Sequence, residues 1–315
     1  MRFSSRPRQA RGIPNRKKQI VFSIAAVVLA LFVTAMLRYG GLLPGNDERE
    51  AQLSGLDKDR LTVQFLDVGQ GDSALLQTPN GSFVLIDTGP SDHRAELLGA
   101  LRRAGVQTIS YMILSHPHED HIGNAAAVAE SFDVEQVWMT AESTQTATYL
   151  TLLETLDEQN IPVTEARAGL DFVLDDVSCS VLSPLRDSYD DLNDSSLVLR
   201  VTYGEHTILF TGDAEQETEQ DLLNAYPAAE LQATVLKVGH HGSSTSTSES
   251  FLNAVAPRVC VISCGKNNDY GHPHMETRDR IDAINASMYR TDLQGTITIT
   301  FDRTDFVVQT ARDEN

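Results

Sequence analysis

An α/β fold, with two packed sheets and helices outside them in an αββα sandwich, is the class the sequence predicts beyond residue 60. Three observations point to it. Each half of that region begins with short β-type runs and then alternates strand with helix. About 250 residues, in a chain that is 41% apolar, are enough for the core of one large domain. Residues of metal-ligand type recur where apolar runs stop, at the sheet edge where open α/β architectures place their sites. Strand-helix alternation alone would also permit a doubly wound fold.

The chain opens on a different texture. "RPRQARGIPNRKKQ" belongs to a basic tail, residues 1–19, and "IVFSIAAVVLALFVTAML" is an uncharged, mostly apolar stretch, residues 20–37, ending before Arg38. Such a length just spans a bilayer. With the basic residues on one side of it, the positive-inside rule keeps the tail in the cytoplasm and sends the rest outside. The competing reading is a cleaved signal peptide, because "VTA" at 33–35 resembles a small-residue cleavage site. The expectation is a single-pass membrane protein with an extracellular domain, or a secreted one if the leader is removed. Residues 38–59 read as a polar tether and 60–315 as the folded domain.

Within that domain, "LTVQFLD", "SALLQT" and "SFVLIDT" are strands, the last two joined by a "PNG" hairpin turn at 79–81. "DHRAELLGALRRAG" is a helix, with Leu97, Leu98 and Leu101 at helical spacing and Gly105 as its stop. "ISYMILS" is a buried strand and "NAAAVAESF" a helix. "VEQVWM" is a strand, and Tyr149, Leu152, Leu153 and Leu156 mark a helix closed off before Pro162. Strands "VSCSVL", "SLVLRVTY" and "HTILFT" lead to a helix near 215–225. Then come "TVLKV", a helix with Phe251, Leu252 and Val255, strand "RVCVIS", a helix near 275–286, and strands "GTITITF" and "DFVVQT". No internal repeat or low-complexity tract is evident.

Charge limits the partners. Residues 1–38 hold eight of the 25 Lys/Arg and none of the 44 Asp/Glu, so the remainder carries 17 positive and 44 negative side chains, net −27. Long-range attraction to a polyanion is disfavoured, and a nucleic acid would need a local positive site such as bound metal ions. No Arg-rich stripe or interleaved aromatics of the single-strand-binding kind is present. The one Trp, Trp138, lies in a strand run and reads as core. Cys179, Cys260 and Cys264 form no disulfide framework. Cys260 and Cys264 would sit roughly 13 Å apart along a strand, too far to bridge, and all three read as buried thiols.

"LSHPHEDHIG" carries the chemistry. His116, His118, Asp120 and His121 lie on the loop joining a strand to a helix, and imidazole nitrogens with carboxylate oxygens are the donors that zinc, manganese or iron accept. More ligand types stand at other strand ends: Asp213 in "ILFTGDAE", His240 and His241 in "LKVGHHGSS", and His272 and His274 in "DYGHPH". Asp87, ending "VLIDTG", suits an acceptor that fixes a ligand histidine's ring through its second nitrogen. If His240 and His241 leave their strand extended, they point to opposite faces.

H-x-H-x-D-H at 116–121, with Asp87 before it and Asp213 after, resembles the metallo-β-lactamase superfamily. The finer pattern, "FLDVGQGDSALLQTPNGSFVLIDTG", "LSHPHEDHIGN", "NDSSLVLRV", "ILFTGDAE", "LKVGHHGSSTS", "YGHPH" and "YRTDLQGTITI", resembles the hydrolase domain attached to ComEC-type competence channels, over about residues 60–302. The resemblance implies an αββα metallo-β-lactamase-type sandwich and two divalent ions, Zn²⁺ or Mn²⁺. It puts His116 and His118 on one ion, Asp120 and His121 on the other, and Asp213 between them. One of His240 and His241 completes the second site; His241 is taken as the ligand and His240 as catalytic. Asp120 doubles as a proton acceptor, and His272 donates a proton or holds a phosphate oxygen. Many superfamily members carry a further histidine where this chain reads "LNDSSL", so Asn193 and Ser195, with Ser243, are candidate substrate contacts.

The implied function is an exported metal-dependent phosphodiesterase or nuclease related to competence DNA uptake, working through metal-activated hydroxide. Its expected partners are a phosphodiester, either single-stranded DNA or an envelope polymer, the membrane through the N-terminal helix, and a DNA-uptake apparatus. A ComEC channel consists of many membrane helices and this sequence offers one at most, so it is not expected to be the pore. Two alternatives stand: a cell-envelope phosphodiesterase such as a teichoic-acid phosphorylcholine esterase, and a non-enzymatic assembly or sensing module. β-Lactam hydrolysis does not follow, since fold does not fix function.

Overall fold

The computed structural model describes residues 59–313. The expected basic tail, apolar segment and tether up to residue 58 lie outside the described residues. Among the described residues, no helix is long and apolar enough to cross a membrane.

The first half of the domain supplies strands β1 (Leu61–Phe65), β2 (Ala74–Gln77), β3 (Phe83–Ile86), β4 (Thr108–Ile109), β5 (Tyr111–Leu114), β6 (Asp133–Val134), β7 (Val137–Met139) and β8 (Val163–Glu165). The second half supplies β9 (Asp171–Leu174), β10 (Val177–Ser183), β11 (Val198–Tyr203), β12 (His206–Phe210), β13 (Val235–Lys237), β14 (Val259–Ile262), β15 (Ser287–Arg290), β16 (Ile297–Phe301) and β17 (Phe306–Thr310). One sheet runs β17-β16-β1-β2-β3-β5-β7-β8 and the other β15-β14-β13-β12-β11-β10-β9. The run "ISYMIL" breaks at Ser110 instead of forming one strand, and the run containing Trp138 breaks at residues 135–136. Their first parts, β4 and β6, pair in a small sheet of their own, while β5 and β7 continue in the large one.

Four layers follow from where the apolar faces go. Val63, Phe65, Ile86, Ile113 and Trp138 from one sheet interlock with Val181, Leu199, Ile208, Phe210 and Val261 from the other. Helices α1 (Arg94–Arg103), α2 (Glu119–Ile122), α3 (Ala125–Ser131) and α4 (Ala147–Glu158) lie along the first half. Leu97, Leu101, Val128 and Leu152 from these helices cover Leu85, Met112 and Leu114 on the outside of the first sheet. The remaining helices are α5 (Gln216–Ala225), α6 (Ala228–Leu231), α7 (Glu249–Val255), α8 (Met275–Ala283) and α9 (Thr291–Gln294). Leu222, Phe251, Leu252 and Ile281 cover Leu209, Leu236 and Ile262 on the outside of the second sheet. This is the αββα order. Strands covered on both faces, such as β3 and β14, are buried along their whole length, as parallel strands between layers must be. β1 and β16 bury alternate residues because their outer face has no such cover. All three cysteines are buried and unpaired, and Trp138 is in the core.

Strands β3, β5 and β7 are parallel neighbours, as are β12, β13, β14 and β15. The carboxyl ends of both sets deliver Asp87, Ser115–His116, Asp213, Gly239–His241 and Ser263 to one edge of the sandwich, and that shared edge positions the site.

One buried acid on that side governs stability rather than chemistry. Glu219 of α5 accepts backbone N–H groups from Thr247 and, at 2.9 Å, Ser248, just before α7. Burial pushes its carboxyl up to about 7 in spite of those donors and Arg280. An unfolded glutamate titrates near 4.3, so the folded state holds this proton more tightly. The favourable contribution is complete below about pH 4 and is lost as pH rises through about 7, a change of roughly 4 kcal/mol. Unfolding free energies measured from pH 5 to 8 are expected to show this decline, and Glu219→Gln should flatten it.

Candidate metal centre

The loop after β5 turns into α2 within four residues, and its exit is fixed from outside. Asn124 donates from Nδ2 to the carbonyls of Thr88 and Pro90, at 3.0 and 2.6 Å, while the Thr88 hydroxyl donates to the carbonyl of His121 at 2.9 Å. His121 is thereby held under the sheet edge with each ring nitrogen facing a carboxylate. Its Nδ1 lies 2.9 Å from Asp87 Oδ2, and its Nε2 lies 3.2 Å from Asp213 Oδ1. Asp87 also accepts the Ser115 N–H at 2.7 Å and the Ser115 hydroxyl at 2.8 Å.

Asp213 reaches the same point from β12. Its turn requires glycine at 212, where φ is +50° and a Cβ would stand 2.8 Å from the Ser115 side chain. The Asp213 N–H donates to Ser196 Oγ at 3.0 Å. From β13 comes "GHHG", which is not extended. His240 and His241 have φ of 46° and 53°, a left-handed turn between two glycines. The sequence expectation of opposite faces is therefore corrected: the tight turn leaves both rings near the centre, with centroids 6.1 Å apart. His241 is buried, its Nε2 3.1 Å from Asp120 Oδ2 and 3.4 Å from Asp213 Oδ2. His240 is less buried, its Nδ1 2.8 Å from Glu215 Oε1 and its Nε2 3.9 Å from Asp213 Oδ2.

Ligand atoms of Asp120, His121, Asp213 and His241 lie within 4.8 Å of one another. His116 and His118 stand beside this group, Nε2 to Nδ1 at 3.0 Å, and the His116 ring centroid is 4.2 Å from that of His121. His272 lies at the outer side, its ring 5.4 Å from His240 and 6.2 Å from His241. The other sequence candidates fall differently. Asn193 contacts Glu215 at 3.4 Å and has a buried Oδ1 with no hydrogen-bond partner. Ser195 is buried and donates its hydroxyl to the Leu192 carbonyl at 2.6 Å. Because residues 193–195 form a 3₁₀ turn, it is Ser196 that faces His116, at 3.4 Å. Ser243 is also buried, closing the histidine turn through its N–H to the His240 carbonyl at 2.8 Å and sharing its hydroxyl with Thr245 at 2.9 Å.

Two partners were not singled out in the sequence. Asp72, in "GQGDS", lies 2.5 Å from the Lys237 ammonium through Oδ2 and 3.2 Å from His241 Nδ1 through Oδ1. Both Asp72 and Lys237 are buried. Asp72 is brought in because Gly71 lets the chain pass against Asp120: the Asp72 N–H donates to the Asp120 carbonyl at 3.1 Å, and a Cβ at 71 would stand 2.3 Å from that oxygen. Glu215 is the other, holding the outer nitrogen of His240.

The electrostatics test whether metal fits. Four carboxylates, Asp72, Asp87, Asp120 and Asp213, crowd around two imidazoles and one ammonium. Burial alone would lower the His121 and His241 pKa values; the carboxylates instead hold both well above the usual imidazole range. Burial would raise Asp213, yet the two histidines hold it well below the carboxylate range. His116, with burial and the charge of His121 against it, is pushed well below, and burial with the neighbouring histidines lowers His272 to about 4. His121 Nε2 and Asp213 Oδ1 are buried without hydrogen-bond partners. Orphaned donor atoms converging in an excess of negative charge match a divalent cation site with nitrogen and oxygen ligands.

A sequence profile described as the metallo-beta-lactamase superfamily matches residues 66–266. The chain belongs to the metallo-β-lactamase superfamily. Within it, the chain is 33% identical over 252 residues to ComE operon protein 3 of Bacillus subtilis (strain 168), covering 75% of this chain and 32% of that protein. It is 33% identical over 241 residues to Competence protein ComA of Neisseria gonorrhoeae, covering 76% and 32%. The chain thus spans about a third of the length of these curated relatives. The fold is shared with YhfI of Bacillus subtilis, a metallo-β-lactamase-fold protein, at a TM-score of 0.53 and 13% identity, covering 77% of this chain and 100% of that one. At the level these comparisons reach, the chain is a metal-dependent hydrolase of this superfamily, related to competence proteins.

Asp87 gives a test of the centre. Both of its oxygens accept hydrogen bonds, so an amide would turn a donor toward either Ser115 or His121. Asp87→Asn is expected to weaken Zn²⁺ binding about 10- to 100-fold by freeing the His121 ring. Titration against a competing chelator measures this; an unchanged affinity would remove Asp87 from the role.

Proposed function

We propose that the chain is a phosphodiesterase of nuclease type, acting on DNA during uptake, with Asp120, His121, Asp213 and His241 on one metal ion and His116, His118 and Asp213 on another. The buried convergence of the first four donors carries the reading, and the competence proteins among the relatives support the substrate. Bound divalent ions acidify water to a pKa of about 7 and neutralise charge on the oxygens of a displaced ester.

The chain's own groups divide the remaining work. Asp120 is the partly exposed member of the set, and its carboxylate accepts the proton of the attacking water. As the new phosphorus–oxygen bond forms, the bond to the leaving oxygen breaks, and that oxygen takes a proton. His240 is placed to supply it from Nε2–H when its ring is doubly protonated, because the Glu215 carboxylate accepts the Nδ1–H and leaves Nε2 toward the centre. His272, neutral near pH 7, offers an N–H to a non-bridging phosphate oxygen. The basic tail and apolar segment support a location for this chemistry: a membrane-anchored domain facing outward, or a secreted one if the leader is cleaved.

One observation favours a second reading, a small or envelope phosphodiester substrate. The net charge of −27 beyond residue 38 gives a long polyanion no general attraction. The experiment is hydrolysis of bis-p-nitrophenyl phosphate and of labelled single-stranded DNA by the full-length chain, metal-stripped and then reloaded with Zn²⁺ or Mn²⁺. Metal-dependent cleavage of both supports the nuclease, and cleavage of the small diester alone supports the second reading. Cleavage of neither would overturn both and favour a non-enzymatic role.

A further inference from the structure

Tyr270 is left without a role by the chemistry above. Its side chain is 67% exposed, and Met275 beside the same loop is 68% exposed. The ring stacks on His272 at 5.6 Å with the planes 22° apart, and His272 leads inward to His240 and His241. Tyr270 therefore forms the outer end of a series of aromatic rings that begins at the metal centre. The loop is braced. Asn268 donates from Nδ2 to the carbonyls of Gly265 and His272 at 2.9 and 2.6 Å, and its Oδ1 accepts the His272 N–H at 2.9 Å. His274 accepts the Ser244 N–H on Nδ1 at 2.9 Å, which leaves its Nε2–H to donate to the Tyr270 carbonyl at 3.1 Å.

We propose that Tyr270 is a stacking platform for a nucleobase flanking the phosphodiester at the centre; the proposal rests on the phosphodiesterase reading above. A single exposed aromatic is unremarkable on a protein surface. This one stacks nearly parallel to a site histidine, on a loop fixed from both sides, so its orientation costs little entropy to maintain. The acidic domain also explains why a π-face is suited to the task. A strand cannot be gathered by long-range charge here, and stacking does not depend on charge or on base identity.

The test measures binding as well as turnover. Full-length chain loaded with Zn²⁺ or Mn²⁺ is titrated with a fluorescent phosphorothioate oligothymidylate and with an abasic backbone of equal length. Tyr270→Ala is expected to weaken the base-bearing strand about 5- to 150-fold and to leave the abasic strand unchanged. Tyr270→Trp should restore binding, whereas Tyr270→Leu, which keeps apolar cover over His272 without a π-face, should not. Equal losses on both strands, no loss on either, or a Tyr270-dependent preference for a choline-bearing polymer over DNA would overturn the proposal. If base-dependent binding holds while no diester is cleaved, the platform stands and the phosphodiesterase reading falls.

Discussion

Asp213→Asn is expected to lower phosphodiester hydrolysis by about 10³-fold or more and to reduce the divalent metal bound per chain. The side chain is buried between His121 Nε2, at 3.2 Å, and His241 Nε2, at 3.4 Å. Among the described residues it is the one carboxylate within 4 Å of His121, His240 and His241 together. An amide of the same shape keeps the packing but removes the negative charge and one acceptor oxygen. One of His121 and His241 would then face the amide N–H2 and the other a neutral carbonyl oxygen, where each now faces a carboxylate oxygen. Metal content by elemental analysis, turnover of bis-p-nitrophenyl phosphate and the near-ultraviolet signal of buried Trp138 separate the possibilities. Loss of metal and rate with Trp138 unchanged is the expected outcome. Full metal content and full rate would remove Asp213 from the centre.

What the sequence revealed of this site depends on how local each relation is. Residues 116–121 pack their donors into one turn, and Asp87 and Asp213 each end an apolar run, so strand ends and ligands could be read together. Pairs made across the fold leave no such pattern. Lys237 sits in "TVLKV" as if it were an ordinary polar break in a strand, and Asp72 passes for a turn residue after two glycines. Only the parallel β12-β13-β14 arrangement and the approach of Gly71 to Asp120 bring them together. The left-handed turn at His240 and His241 had a local signal in its flanking glycines. The strands not foreseen, β8, β9 and β15, are all sheet edges with mostly exposed or half-buried residues, where burial imposes little alternation.

Lys237→Met is expected to destabilise the fold by about 3–5 kcal/mol, the cost of leaving a buried carboxylate without its cation. The Lys237 ammonium has Asp72 at 2.5 Å and donates to the Val238 carbonyl at 2.8 Å. Burial would push the Asp72 carboxyl up, but Lys237 and His241 hold it below its ordinary value. With methionine at 237, Asp72 either stays charged in a site that no longer compensates it or takes a proton, and each route costs stability near pH 7. Denaturant unfolding should therefore show a lower midpoint with little change in slope. The double variant Asp72→Asn/Lys237→Met removes both charges, so it should recover much of the loss, a coupling that additive effects cannot give. It should still bind metal less well, because Asp72 Oδ1 also faces His241 Nδ1 at 3.2 Å, where the Ser263 carbonyl at 3.0 Å competes for the same N–H. A single variant as stable as the parent chain would mean that the pair contributes no net energy. Recovered stability with unweakened metal binding would limit Asp72 to neutralising Lys237 and leave the His241 ring to Ser263.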